Sequence, residues 1–164
     1  MIVDRRSYRR HLPHFQSDSR TYFVTFIAKD RRVLPDVARD AAMRHIVFDH
    51  QRRMWLHAAV VMPDHAHILI TPLYDRSGWS YALSTILQGI KGSSARSINA
   101  ALQTKGAVWQ HESFDHELRR EENLRKTAEY IAHNPVRKGL CTSPDQYRWL
   151  WREWLEGQKT ASET

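Results

Sequence analysis

Val61-Met62-Pro63-Asp64-His65-Ala66-His67-Ile68-Leu69-Ile70 is the stretch whose reading decides the fold. Pro63-Asp64 reads as a turn between two β-rich runs. The flanks then become the strands of a hairpin, Trp55 to Met62 and His65 to Thr71. In a strand, residues i and i+2 project to one face, so His65 and His67 point the same way. They are near enough to share one cation, and the apolar run Ile68-Leu69-Ile70 behind them marks a central strand.

Working outward, Tyr22-Phe23-Val24-Thr25-Phe26-Ile27-Ala28 is dense in aromatic and β-branched residues and reads as a buried strand. Pro35-Asp36 opens a helix to about Arg53, with Val37, Ala41, His45 and Phe48 on its core stripe. Residues 72–80 form a loop. Tyr81 to Leu102 is an amphipathic helix with Leu83, Leu87, Ile90, Ser94, Ile98 and Ala101 inward. Gly89 and Gly92 either weaken it or permit close packing. Val108 to Leu118 is a fourth strand. Glu121-Glu122 favours a helix start near 121. That helix runs to about His133 on Leu124, Ala128 and Ile131, and Asn134 before Pro135 disfavours its continuation. The aromatic tail Tyr147 to Leu155 reads as helical.

The order β-α-β-β-α-β-α matches the ferredoxin-like split βαβ plan. The expected class is α+β: a four-stranded antiparallel sheet, helices on one face and an added C-terminal helix. One domain covers 1–164, with a basic arm over about 1–20 and an aromatic tail over about 141–164.

The chain has 164 residues and a net charge of +7, with a pI near 9.9. That balance favours polyanionic partners, nucleic acid first. Cys141 is the only cysteine, which excludes an internal disulfide and a cysteine-based zinc cage and fits a reducing cytoplasm. Apolar runs are too short to span a bilayer. The arginine-rich start lacks the apolar stretch of a secretory signal.

His-x-His alone is a weak signal. With 10 histidines, chance supplies roughly 0.6 such matches. A second fragment strengthens it: Glu129-Tyr130-Ile131-Ala132-His133-Asn134-Pro135-Val136-Arg137-Lys138-Gly139-Leu140. Tyr130 and Asn134 are four apart and share a helix face. Asn134 offers a carbonyl oxygen to a hard metal, and His133 can serve instead. Lys126, four before Tyr130, can lower the phenol pKa or contact phosphate. A metal beside a tyrosine in a very basic chain points to phosphodiester cleavage through a covalent tyrosine intermediate. Lys91, Arg96, Arg119, Arg120, Arg137 and Lys138 can neutralise a nucleic-acid backbone, with Arg9 and Arg10 in the arm. Trp149, Trp151 and Trp154 can stack on bases or cover the core. No Walker loop or Rossmann glycine pattern is present.

These residues resemble the REP-associated tyrosine transposases, within the single-tyrosine HUH nucleases and related to insertion-sequence transposases. Four stretches carry the likeness: Leu12-Pro13-His14-Phe15 through Phe26, Val61 to Leu69, Val108-Trp109-Gln110, and Tyr130 to Leu140. Ala66 is small for the middle of the His-x-His motif, Asp64 stands where Asn is frequent, and Trp149-Leu150-Trp151 departs from the family's usual tail.

The resemblance implies a metal-dependent single-strand DNA endonuclease and strand transferase, cytoplasmic and nucleoid-associated. Tyr130 would be its nucleophile, and His65, His67 and Asn134 would hold Mg or Mn. Its substrate would be a palindromic hairpin, its intermediate a 5′-phosphotyrosine, and the protein a monomer or homodimer. Imidazole protonation would weaken metal binding below about pH 6.5. Two other readings use the same residues: a non-catalytic nucleic-acid-binding module of this fold, and a zinc hydrolase using a further histidine.

Overall fold

The computed structural model describes residues 19–119 and 123–153. Five strands form one antiparallel sheet: β1 (Tyr22–Ala28), β2 (Met54–Val61), β3 (His65–Pro72), β4 (Trp109–Glu117) and β5 (Leu150–Arg152), in the order β4-β1-β3-β2-β5. The helices are α1 (Asp36–Phe48), α2 (Leu83–Leu102), α3 (Leu124–Ala132) and the short α4 (Asn134–Arg137). The first four strands follow the expected split βαβ order.

Cross-strand register assigns every side chain to a face. Phe26 lies opposite Ala66 and Val24 opposite Ile68, and all four are fully buried. Residues directly opposite one another share a face, so this set forms one side of the sheet. Against it pack the two long helices. The Phe26 ring meets Trp109 edge to face at 4.8 Å, and the Trp109 Nε1–H donates to Ser94 Oγ of α2 at 2.9 Å. That bond explains a buried serine on an otherwise apolar stripe. Phe23, Thr25 and Ile27 lie opposite Leu69, His67 and His65 and belong to the other side. α3 covers part of that side, resting on β2, β3 and β5.

Several expectations are corrected. Leu150–Arg152 of the tail form a strand that was not expected, β5, pairing to β2, and the tail beyond Glu153 lies outside the described residues. Tyr147 Oη donates to the Val61 carbonyl at 2.7 Å, and Trp149 Nε1 donates to Asp40 Oδ1 of α1 at 2.8 Å. Trp149 is therefore buried core, not a base-stacking surface. Trp151 packs edge-on to His50, and Trp154 lies outside the described residues. Backbone partners along β2 draw the tail into extended form. α1 buries Ala38, Ala41, Ala42 and Ile46, while Val37 and Phe48 are exposed. Small alanines let α1 approach closely, a rotation of the stripe that hydrophobicity counting misses. α1 also stops at Phe48 rather than near Arg53: Gln51 takes a left-handed φ of 65°, which ends the helical path, and the Asp49 carboxylate takes Arg53 beyond it in a bidentate pair, at 3.1 Å to Nε and 2.7 Å to Nη2. α3 starts at Leu124, where the Asn123 side chain accepts from the N–H groups of Arg125 and Lys126.

Gly89 has a definite reason. A β-carbon there would collide with the Arg53 guanidinium. Arg53 cannot simply swing away, because its partner Asp49 is only 5% exposed and would be left as a buried lone carboxylate. Gly92 faces only Arg96 Nη1 at 3.6 Å from a built β-carbon, an ordinary contact. Helix propensity alone favours alanine by about 1 kcal/mol at both positions. Urea unfolding is expected to separate them: Gly92→Ala raises stability by up to about 1 kcal/mol, and Gly89→Ala lowers it by about 1–2 kcal/mol.

Candidate active site

His65 opens β3, and His67 follows on the same face. Their rings meet edge to face, with centroids 4.7 Å apart. Each ring is fixed through its Nδ1. His65 Nδ1 lies 2.7 Å from Asp64 Oδ1. His67 Nδ1 lies 2.7 Å from Oγ1 of Thr25, its cross-strand partner. In the tautomer that donates from Nδ1, both rings keep an Nε2 lone pair for a cation. Such outer partners raise a ligand's basicity and lock its orientation. Burial opposes ionisation of Asp64, but the hydrogen bond with His65 and the charges of His65 and Arg31 outweigh it. Its carboxyl is held below the usual range.

His67 is pushed down to about 4, first by burial and then by the charges of His65 and Arg137. The expected weakening of metal binding below about pH 6.5 applied to both imidazoles; for the His67 ring this shift moves it to more acid pH. The ring stays neutral, and so able to ligate, well into the acid range.

Tyr130 projects from α3 because Ala128, Ile131 and Ala132 turn the opposite stripe into the core. Its ring is 56% exposed. One side chain joins it to the histidines. Phe23 stacks on His67 at 5.2 Å and meets Tyr130 edge-on at 6.4 Å. The guanidinium of Arg137 lies 3.9 Å from the centroid of the Tyr130 ring, and its Nη2 donates to the Tyr130 carbonyl at 2.8 Å.

Asn134 begins α4 and is 5% exposed. Its carbonyl accepts from Lys138 N, and among the described residues its side-chain amide makes no hydrogen bond. An amide that is little exposed and makes no hydrogen bond to the described residues suits a ligand oxygen. His133 is exposed and turns Nδ1–H back to the Glu129 carbonyl at 2.9 Å, so its ring stays with its own helix. Two imidazoles and one amide oxygen fit a divalent ion that accepts mixed N and O donors. No group of three His, Cys, Asp or Glu that can hold a metal occurs among the described residues. The third donor of a zinc hydrolase is therefore not found there.

Residues 16–134 match the protein family described as Transposase IS200 like. The chain belongs to the IS200-like transposase family. A solved REP-associated tyrosine transposase bound to a REP hairpin superposes with a TM-score of 0.58 and 23% identity, over 84% of this chain and 78% of that one. A second similar structure is a candidate transposase of Deinococcus radiodurans R1, with TM-score 0.43 and 22% identity, over 73% of this chain and 92% of that one. Comparison with curated proteins found no match.

In this IS200-like transposase the anticipated phosphate-binding residues are scattered. Lys126, Arg137 and Lys138 are exposed on or just after the helices that carry Tyr130. Lys91 is not available in the same way: its Nζ donates to the His111 carbonyl at 2.9 Å and to Ser113 Oγ at 3.0 Å of β4, and burial lowers its pKa. Arg96 lies on α2, on the opposite side of the sheet, and its Nη2 donates to Ser93 Oγ at 3.2 Å. Arg119 is exposed at the end of β4. Arg9, Arg10 and Arg120 lie outside the described residues. Among the described residues no helix is long and apolar enough to cross a membrane.

Sequence reading missed Phe23, Thr25 and Asp64 as parts of the site. Thr25 and Phe23 join it only through strand register. Asp64 was legible as the neighbour of His65 but read as a turn residue.

The His67 shift has a consequence for stability. Between about pH 6.5 and 4 the unfolded imidazole holds a proton that the folded one does not, so stability falls as pH drops through that window. The full effect is on the order of 3 kcal/mol. Buried His57, whose pKa burial also lowers, acts in the same direction. Urea midpoints in EDTA are expected to fall from pH 7 to pH 4.5, and to fall less for His67→Gln.

Proposed function

We propose that the chain is a site-specific single-strand DNA endonuclease and strand transferase that cuts at REP-type palindromic hairpins. The observation that carries this reading is the placement of Phe23, one ring against both His67 and Tyr130. It supports a reading in which Tyr130 as nucleophile and His65 and His67 as metal ligands share one site within a single chain. The neighbouring structure with a bound REP hairpin supports the substrate class, and the +7 charge supports a polyanionic partner.

Tyr130 Oη attacks the scissile phosphorus as the bond to the 3′ oxygen breaks. The products are a 5′-phosphotyrosine and a free 3′-hydroxyl; the phenolic proton passes to solvent and the leaving 3′ oxygen takes one from it. Attack by another 3′-hydroxyl reverses the step, so joining needs no further energy source. Arg137, lying over the ring, offers its guanidinium to the phosphate. Thr25 and Asp64 hold the imidazoles in their ligating tautomers. His65, His67 and Asn134 would hold Mg or Mn, which when bound supplies charge stabilisation to the phosphate.

A binding module that does not cut is the alternative, and covalent chemistry separates the two. Hairpin DNA with a single-stranded flank is expected to form a denaturant-resistant adduct with the wild-type protein. Tyr130→Phe should lose the adduct and slow cleavage by at least about 10³, with binding retained. Excess EDTA should abolish cleavage as well. An adduct that survives in Tyr130→Phe assigns the nucleophile elsewhere, and no adduct under any condition returns the binding module.

A further inference from the structure

Among the described residues, the sheet face that carries the histidines is only half covered. α3 rests on β2, β3 and β5, and among the described residues nothing comparable lies over β1 and β4. Phe114 stands on that open half and is 59% exposed. Its direction is fixed twice. It lies opposite Thr25, which lies opposite His67, so the three share a face and one register line. Its neighbour Ser113 turns the other way and accepts from Lys91 of α2, on the opposite side of the sheet.

Phe114 thus sits two strand spacings from His67, about 9.6 Å across the sheet. A phosphate held at the imidazoles would place an adjoining nucleotide over it. Between them the floor is Thr25 and the half-buried ring of Phe23, and the far wall is Tyr130 with Arg137. An exposed aromatic on an open pleated surface is a stacking platform for an unpaired base and needs no particular base identity. A regular duplex cannot use it, because its bases are already stacked.

Resting on the cleavage reading above, we propose that Phe114 is the stacking platform for an unpaired base next to the scissile phosphate. It positions the flank and does not take part in the chemistry. The occupant is single-stranded DNA continuous with the candidate active site, because the phenyl ring and His67 share a register line and a +7 chain supplies the attraction for a polyanion.

The test uses full-length protein and a hairpin whose single-stranded flank carries 2-aminopurine at one position at a time, in the Tyr130→Phe background so that the DNA stays intact. Quenching is expected at one position beside the scissile phosphate, and is expected to disappear in Phe114→Ala and Phe114→Leu but persist in Phe114→Trp. With Tyr130 present, Phe114→Ala should raise KM for the flanked hairpin about tenfold, within the range of one base–aromatic stack. Affinity for the bare stem should not change. Because the side chain is exposed, thermal midpoints of the variants should match the wild type.

Unchanged quenching and KM in Phe114→Ala would overturn the platform and leave the nuclease reading intact. A shift of sedimentation from dimer to monomer in that variant would make the ring a subunit contact and also overturn it. Failure of the wild-type protein to bind or cut any flanked hairpin would remove both readings together.

Discussion

The candidate site depends on the period of two in β3. One set of its side chains, Ala66, Ile68 and Ile70, is fully buried against the helical layer. The alternate set places His65 and His67 on the opposite face. A slip of one residue would exchange the two sets, burying imidazoles and exposing isoleucine. The apolar side therefore locks the register that the imidazoles require. Strand pairing then delivers Thr25 to His67 and Phe23 to the tyrosine helix. The chemistry of one face is held in place by the hydrophobicity of the other.

How far this could be read in advance differs by kind of signal. The hairpin, the shared face of His65 and His67, and the split βαβ order followed from local residue patterns and strand periodicity. Ser94 was placed inward from helical spacing alone, though its reason, the indole of Trp109, was not visible. What escaped were facts that depend on distant partners. Phe23 is forty-four positions from His67 in sequence, and only register brings them together. β5 was read as helix because its aromatic residues suit either state, and the open edge of β2 decided the matter. The α1 stripe was misplaced because alanines carry a weak hydrophobic signal but permit the closest approach.

The positive charge of the chain is less uniformly available than its composition suggests. Arg53 is bound to Asp49, Arg148 to Asp40, and Arg152 to Asp145 and Glu129. These cations already have carboxylate partners within the fold. Arg137 is different: it is exposed and lies against the candidate nucleophile. Net charge draws a polyanion toward a surface, but where a phosphate comes to rest depends on cations not already held by carboxylates.

Lys91 has a further consequence. β4 is an outer strand of nine residues with its far side unpaired within the sheet. Such an edge is a template on which another chain can add a strand. The Lys91 ammonium sits on the His111 carbonyl, one of the acceptors within that strand. A residue that composition assigns to ligand attraction thus spends its charge inside the fold, fastening the outermost strand to the helix beneath it.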